Sequence, residues 1–194
     1  LPAAERGNVV IIGAGNAGSN AAIVAQSIGA NVTVFDRKRE KMLRVRQLGP
    51  NVSGLYPYPD AVAAAVANAD LLIGAVLIPG ARAPHVVSRA MVASMQPGSV
   101  IVDIAVDQGG CVETTRATDY SAPTFVEEEV IHFGVTNMPA AVPRSASQAL
   151  SAEIFPYVKL LLEEGLLPDG ALATAINVQQ GRIMHPAVAE SLSH

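Results

Sequence analysis

The segment from Asn8 to Asp36 constrains the fold most, because two apolar runs there flank a glycine-rich turn and a helix of small residues. The first run ends in Gly13-Ala-Gly15-Asn-Ala-Gly18, and the second run closes on Asp36. A strand, a G-x-G-x-x-G turn, a helix, a strand and a terminal acid, in this order, are typical of a dinucleotide-binding α/β unit. The pattern predicts a parallel sheet with a dinucleotide site at the carboxyl ends of its strands.

Each glycine of the turn has its own expected task. Gly13 lets the chain turn out of the strand, Gly15 lets a pyrophosphate approach the backbone, and Gly18 lets the helix lie close to the sheet. The helix that begins near Asn16 directs free N–H groups and its positive dipole end towards the phosphates.

Asp36 ends the second strand, where a carboxylate can accept hydrogen bonds from the adenosine ribose. Because a carboxylate there would repel a 2′-phosphate, the residue favours NAD over NADP. The basic run 37–39 leaves an alternative open. These cations could hold a 2′-phosphate, or they could form the solvated start of the next helix.

The rest of the chain alternates predicted strands and helices, which indicates an α/β fold with a doubly wound parallel sheet, a Rossmann-type domain. The predicted strands are Val9–Ile12, Val32–Phe35, Asn51–Leu55, Leu71–Val76, Val100–Val106 and Val130–Val135. The predicted helices are Asn16–Ile28, Arg39–Leu48, Asp60–Ala67, Ser88–Met95 and Ser145–Glu164, with Asp60 and Ser88 as N-caps and a kink at Pro156. A loop is predicted to begin at Pro168.

We expect two parts: a nucleotide-binding domain over residues 1–144, and a long helix with a C-terminal segment over 145–194 that packs on a different lobe. There is no initiator Met, and the first strand begins almost at once. These features predict a chain cut at an interdomain linker, or otherwise processed or truncated.

Composition narrows the function classes. Half of the 194 residues are hydrophobic, which suits a sheet buried on both faces. The net charge of −4 argues against a nucleic-acid surface, and no apolar run is long enough to cross a bilayer. The single cysteine, Cys111, excludes an internal disulfide and fits a reducing compartment such as the cytoplasm.

Three segments are expected to follow strands at the ligand edge of the sheet: residues 74–80, 106–110 and 135–139. Asp107 is the acid at the tip of an apolar run, so it could orient a substrate amine or transfer a proton, or it could cap a neighbouring turn. Asp103 lies within the predicted strand and is expected to serve a structural hydrogen-bond network. Cys111 could be a nucleophile, although a packed thiol is the favoured interpretation, and the four histidines show no metal-ligand spacing.

Four strings resemble the L-alanine dehydrogenase family: GAVLIPGARAP (Gly74–Pro84), PGSVIVDIAVDQGGCVET (Pro97–Thr114), VTNMPAAVPRSASQAL (Val135–Leu150) and INVQQGRIMHPAVAE (Ile176–Glu190). The resemblance spans essentially the whole chain. The related NAD-binding subunit of proton-translocating transhydrogenase shares the fold, but its corresponding loop does not read DQGGC.

The resemblance implies a homo-oligomeric enzyme that converts L-alanine to pyruvate and ammonium with NAD. It also implies site residues by motif. The pyrophosphate contacts would be Gly13, Gly15, Asn16, Ala17 and Gly18, with Asp36 on the adenosine ribose and Lys41 nearby. The nicotinamide side would be lined by Val76, Ile104, Val135, Asn137 and Met138, and Asp107 matches the family's active-site aspartate.

This sequence departs from the family in two places. A serine often follows the third strand of the family, near the adenosine, where this chain has Leu55-Tyr56-Pro57-Tyr58-Pro59. The family's first lobe, which carries a histidine acid/base and basic residues for the substrate carboxylate, has no matching motif here. Two alternatives to the enzyme therefore stay open: an NAD(H)-binding module without activity of its own, and a transhydrogenase subunit.

Overall fold

The computed structural model of the chain describes residues 5–78, 83–165 and 172–192. Residues 79–82 of the segment after the fourth strand, and the loop predicted at Pro168, lie outside these ranges. The described residues form two compact units, residues 5–78 with 83–136, and residues 137–165 with 172–192. The predicted domain boundary between residues 144 and 145 stays a prediction.

The first unit is built around a seven-stranded sheet. Its strands are β1 (Asn8–Ile12), β2 (Asn31–Phe35), β3 (Val52–Leu55), β4 (Leu71–Gly74), β5 (Val100–Asp103), β6 (Thr124–Glu127) and β7 (Val130–Phe133). Its helices are α1 (Asn16–Ser27), α2 (Arg39–Arg46), α3 (Pro59–Ala67) and α4 (Arg89–Val92).

The strand order is β3-β2-β1-β4-β5-β7-β6, and every pairing is parallel except that of β6 with β7. The chain winds from β1 outward through β2 to β3, and then returns to the other side of β1 with β4. This confirms the predicted α/β class with a mostly parallel, doubly wound sheet. The order reverses between β1 and β4, which is where open α/β sheets hold their ligands.

Both faces of the sheet are buried, as its apolar strands predict. Successive side chains of a strand point to opposite faces. In β1, accordingly, Val10 and Ile12 belong to a core cluster with Phe35, whereas Val9 and Ile11 belong to a second cluster with Val34.

Several predicted boundaries were wrong. β4 ends at Gly74 rather than Val76, β7 ends at Phe133 rather than Val135, and α4 spans only Arg89–Val92. α3 begins at Pro59 with Tyr58 as its N-cap, so Asp60 lies in the first turn and is not the cap. The Ser88 cap is confirmed, since its Oγ accepts a hydrogen bond from the Met91 N–H at 3.3 Å.

The edge strand β6 was not predicted. Its four residues alternate between exposed and half-buried, and its partner β7 follows after a turn in which Glu128 and Glu129 have positive φ. A short edge strand of this kind carries too little apolar pattern to be recognised from sequence alone.

The second unit contains α5 (Pro143–Glu164), a hairpin of β8 (Val178–Gln179) and β9 (Arg182–Ile183), and α6 (Pro186–Leu192). α5 is helical over 22 residues and continues through Pro156, so the predicted long helix is confirmed, while the kink stays a prediction. Most of its large apolar side chains are exposed within this chain, among them Leu150, Phe155 and Leu162.

Candidate functional site

The carboxyl ends of the four central strands lie level with one another. Ile12, the last residue of β1, pairs with the last residues of β2 and β4, and the last residue of β4 pairs with the last residue of β5. The residues that follow these strands, including Gly13, Asp36 and Ile104, therefore meet at one edge of the sheet. The register thus brings together residues that are far apart in sequence, beside the point where the strand order reverses.

The glycine turn is fastened to both neighbouring strands. The N–H of Gly13 donates to the Phe35 carbonyl at 2.8 Å, and the N–H of Ala75 donates to the Ile12 carbonyl at 2.8 Å. Gly13 has a φ of +103°, and a Cβ placed there would lie 2.5 Å from the Ala75 carbonyl oxygen. Only glycine fits this position, because both the backbone angle and the available space exclude a side chain.

Packing requires glycine at position 18 but does not require it at position 15. A Cβ on Gly18 would lie 1.8 Å from the Gly13 carbonyl oxygen and 3.3 Å from the Ala75 Cβ, so the close approach of α1 to the turn requires glycine. A Cβ on Gly15 would meet no atom of residues 5–78, 83–165 or 172–192 within 4 Å. Packing therefore explains Gly18 and leaves Gly15 unexplained, with open space in front of its backbone.

The start of α1 faces this open space. Gly15 is the N-cap, and as a glycine it has no side chain that could accept hydrogen bonds from the first N–H groups of the helix. The first N–H groups of an α-helix have no partner within the helix, so those of Asn16, Ala17 and Gly18 need an outside acceptor. This open cradle of N–H groups at the positive end of a helix fits a pyrophosphate.

Asp36 is fixed beside the same turn. Its Oδ2 accepts a hydrogen bond from the Ala14 N–H at 2.8 Å, and its Oδ1 accepts one from the Lys38 N–H at 2.8 Å. The ammonium of Lys41 lies 3.7 Å from Oδ2. These contacts orient the carboxylate. Because each carboxylate oxygen has a second lone pair, the carboxylate can still accept hydrogen bonds from ribose hydroxyls.

The residues predicted to line the nicotinamide side have different environments. Val76 is half-buried and packs against the core, Ile104 is half-buried, and Val135 is only 1% exposed. Asn137 and Met138 belong to the second unit. There, Asn137 has a left-handed backbone with φ +51° and precedes a 3₁₀ turn over Met138–Ala141.

Asp103 organises the loop after β5. Its carboxylate is 1% exposed and accepts hydrogen bonds from three backbone N–H groups: Ala105 at 3.0 Å, Cys111 at 2.8 Å and Val112 at 3.1 Å. It also accepts from the Thr115 hydroxyl at 2.8 Å. One buried carboxylate thus ties together both ends of the 104–112 loop, which confirms the predicted structural role.

The same contacts correct the prediction for Val100–Val106. The strand stops at Asp103, because its side chain caps a 3₁₀ helix over Ile104–Gln108. Asp107 therefore lies in that 3₁₀ turn rather than at the tip of a strand, and its side chain is exposed. Gln108 is fastened as well, since its carbonyl accepts the Ala83 N–H at 3.0 Å.

Cys111 is fully buried with its Sγ 3.6 Å from Asp103 Oδ1. Burial, and then the neighbouring carboxylate charge, raise the pKa of this thiol well above its ordinary value, so the thiolate needed for nucleophilic chemistry does not form at neutral pH. The packed-thiol interpretation is confirmed.

His132 is likewise buried, and its ring lies between Thr114 Oγ1 at 2.8 Å and the Val130 carbonyl at 2.9 Å. Burial lowers its pKa, so the ring is a neutral part of the core. Among residues 5–78, 83–165 and 172–192, no group of three or more His, Cys, Asp and Glu side chains is placed to hold a metal ion.

Sequence reasoning missed two features of the site. Ala75 is the residue against which Gly13 and Gly18 pack. The sequence indicates this role only through the small size of the residue that directly follows β4. The hydrogen bond from Ala14 to Asp36 joins residues 22 apart, and no local pattern marks it.

The amino-acid sequence of this chain is similar to that of known proteins. The family model "Alanine dehydrogenase/PNT, C-terminal domain" matches residues 1–186. Alanine dehydrogenase of Mycolicibacterium smegmatis is 44% identical over 197 residues, which cover 99% of this chain and 53% of that protein. The chain therefore spans about half the length of the curated relatives it matches.

Two solved structures are also similar to this chain. An L-alanine dehydrogenase superposes with a TM-score of 0.85 at 47% identity, covering all of this chain and 55% of the other. A transhydrogenase from Sinorhizobium meliloti superposes with a TM-score of 0.74 at 30% identity, covering 92% of this chain and 49% of the other.

Within the described part of the chain, no helix combines the length and the apolar character required to span a bilayer. The strand ends are aligned, a glycine turn precedes a helix, and an oriented acid follows β2. One family model matches nearly the whole length of the chain. The chain therefore belongs to the alanine dehydrogenase/PNT C-terminal domain family.

Proposed function

We propose that this chain is the NAD-binding part of an L-alanine dehydrogenase. The observation that carries the proposal is the open space at Gly15, because the other two glycines of the turn are explained by packing and this one is not. A pyrophosphate in that space would meet the N–H groups at the start of α1. The alanine dehydrogenase of M. smegmatis, at 44% identity, and the solved L-alanine dehydrogenase, at 47% identity, support L-alanine as the substrate.

The adenosine ribose is assigned to Asp36. Its carboxylate is oriented by the Ala14 and Lys38 N–H groups, and Lys41 adds a positive charge 3.7 Å away. A 2′-phosphate in the same place would face this carboxylate at close range, which favours NAD over NADP. Of the two interpretations of the basic run 37–39, the helix start is favoured, since α2 begins at Arg39 and all three side chains are exposed.

When bound, NAD supplies the acceptor for the hydride that leaves the Cα of L-alanine. The other half of the reaction adds water and releases pyruvate and ammonium, and this half requires proton transfers. We assign Asp107 to them, because its exposed carboxylate stands on a loop that Asp103 holds from both ends. Val76, Ile104, Val135, Asn137 and Met138 remain the predicted lining of the nicotinamide side.

The C-terminal part, residues 145–194, is proposed to pack on the lobe that corresponds to the unmatched half of the relatives. Exposed apolar side chains on α5, such as Leu150, Phe155 and Leu162, support this, since side chains of this kind are usually covered in an assembled protein. We further propose a cytoplasmic homo-oligomer. Sedimentation of the intact enzyme tests the assembly, and a monomer there would refute it.

A chimera tests the activity. This chain replaces the matching 53% of the M. smegmatis alanine dehydrogenase, and NADH formation is followed with L-alanine as the substrate. We expect turnover that Asp107→Asn abolishes while NADH binding persists. A chimera that binds NADH but has no alanine-dependent turnover would refute the enzyme proposal and favour the binding module. Hydride exchange between two nicotinamide nucleotides without alanine would favour the transhydrogenase instead.

A further inference from the structure

Positive charge is concentrated in residues 37–46, a stretch that contains α2 and is called the basic segment below. It holds six of the thirteen lysines and arginines of the chain and one of the seventeen acidic residues, Glu40. The chain as a whole has a net charge of −4, so the residues outside the basic segment are strongly negative in sum. A chain with this overall charge therefore carries one short, strongly positive region.

Most of these cations are not used by the fold. Four arginines of the basic segment are exposed: Arg37, Arg39, Arg44 and Arg46. In the ranges that the structure describes, none of these four forms an ion pair with an acid, whereas the Lys41 ammonium lies 3.7 Å from Asp36. Exposed cations without a nearby acid produce a positive potential that extends into the solvent.

Packing fixes where this charge lies. Val45 is 1% exposed and belongs to the core cluster that contains Val34 and Val52. A Cβ on Gly54 in β3 would lie 2.5 Å from the Met42 carbonyl oxygen, so the backbone of α2 lies directly against that strand. The helix is therefore held against the sheet, and its charged side chains stay on this part of the surface.

The basic segment begins at the edge of the sheet where the dinucleotide is proposed to bind. α2 starts three residues after Asp36 and leads into β3, which is parallel to β2, so the helix runs away from that edge. At about 1.5 Å per residue, Arg46 lies about 10 Å farther along the helix axis than Arg39. The Debye length is about 30 Å in 0.01 M salt, so the whole segment then acts on a charge at the edge.

We propose that the basic segment guides the anionic dinucleotide to its site by long-range electrostatic attraction. The inference rests on the proposed NAD function and adds to it a kinetic role for residues that do not touch the ligand. The pyrophosphate of NADH is anionic, and a chain of net negative charge repels it at a distance. A positive segment beside the entrance overcomes this repulsion locally and raises the association rate.

Stopped-flow mixing with NADH, followed by nucleotide fluorescence, tests the proposal on this chain. Arg44 and Arg46 are the residues to change, because neither is assigned a ligand contact. In about 0.01 M salt, the Arg44→Glu/Arg46→Glu double variant should associate about fivefold more slowly than the wild type, at an unchanged dissociation rate. In about 0.5 M salt, charges are screened within about 4 Å, and the difference should fall below about 1.5-fold.

Two further variants separate attraction from damage to the fold. Glu40→Lys makes the opposite change of charge in the first turn of α2 and should speed association about threefold in low salt, a gain that a damaged fold would not give. Arg6→Glu is the matched control for Arg44→Glu alone. It makes the same change of charge at an exposed residue before β1, at the opposite edge of the sheet. Arg44→Glu should slow association about twofold, and Arg6→Glu should slow it less than about 1.5-fold.

The outcomes distinguish this proposal from the NAD proposal. If NADH binds but every variant associates at the wild-type rate, or if salt leaves the wild-type rate unchanged, the guiding role is wrong and the NAD proposal stands. If the double variant is slowed equally in low and high salt, the arginines act through contact or folding, and the guiding role is again wrong. If the folded wild type binds no NADH in either salt, both proposals are wrong.

Discussion

Gly18→Ala is the substitution for which the structure predicts the largest clash in the site. The new methyl would lie 1.8 Å from the Gly13 carbonyl oxygen and 3.0 Å from its carbon, whereas ordinary contacts begin near 3.4 Å. Overpacking of this kind costs about 1–3 kcal/mol, and the upper end applies because the obstacle is backbone. Replacing a helical glycine by alanine returns about 1 kcal/mol, so the net loss is about 2 kcal/mol. For a chain of this size, the melting temperature should fall by about 4–8 °C.

Gly15→Ala is the matched control, because its methyl would meet no atom of the described residues within 4 Å and its φ of −76° suits any residue. Alanine is a poorer N-cap than glycine, but it also reduces the entropy of the unfolded chain, and the two effects roughly cancel to within about 0.5 kcal/mol. The methyl does, however, stand where the pyrophosphate would meet the helix N–H groups. Loss of one charge-assisted hydrogen bond, about 1.5–3 kcal/mol, predicts NADH binding at least about tenfold weaker.

Thermal unfolding followed by circular dichroism, and NADH titration followed by calorimetry, separate the two effects. Gly18→Ala should lose stability, whereas Gly15→Ala should lose affinity at nearly unchanged stability. Equal melting temperatures for Gly18→Ala and wild type would refute the close approach of α1 to the turn. Undiminished NADH affinity of Gly15→Ala would refute the pyrophosphate cradle.

Three further predictions concern the buried polar groups. Thr115→Val removes a hydroxyl donor from the Asp103 carboxylate and should cost about 2 kcal/mol in chemical denaturation, whereas Thr115→Ser should cost much less; equal losses would contradict the network. Burial lowers the pKa of His132, so the unfolded chain takes up the proton first as the pH falls. Wild-type stability should therefore persist above about pH 6.5 and decline below it, and this decline should be smaller in His132→Gln; identical profiles would count against a buried neutral ring. Because burial raises the pKa of the Cys111 thiol, a thiol reagent should label the folded chain only at the rate of its unfolding, and fast labelling would show that the thiol is accessible.

The first βαβ unit could be predicted well from sequence because its signals are local. The glycine turn, the small residues of α1 and the apolar strands lie within 29 residues, and the structure shows β1, α1 and β2 within one residue of their predicted bounds. Asp36 was predicted to be a functional acid for the same reason, and that role stays a prediction. Its orientation by the Ala14 N–H depends on strand pairing, which no local pattern reveals.

The loop after β5 could not be predicted to the same extent. Apolar residues continue from Val100 to Val106, so the pattern favours a longer strand. The strand ends at Asp103 because the partners of its side chain come from residues 105, 111, 112 and 115, which return only after the chain has turned. A buried carboxylate with distant donors overrides the local preference, and the position of Asp107 changes with it.

Calorimetric titration of NADH and NADPH into this chain tests the central claim most directly. The account predicts saturable single-site binding of NADH, with NADPH weaker because the Asp36 carboxylate faces the 2′ position. A folded chain that binds no NADH would contradict the pyrophosphate cradle. Binding of NADPH as tight as that of NADH would contradict the role assigned to Asp36.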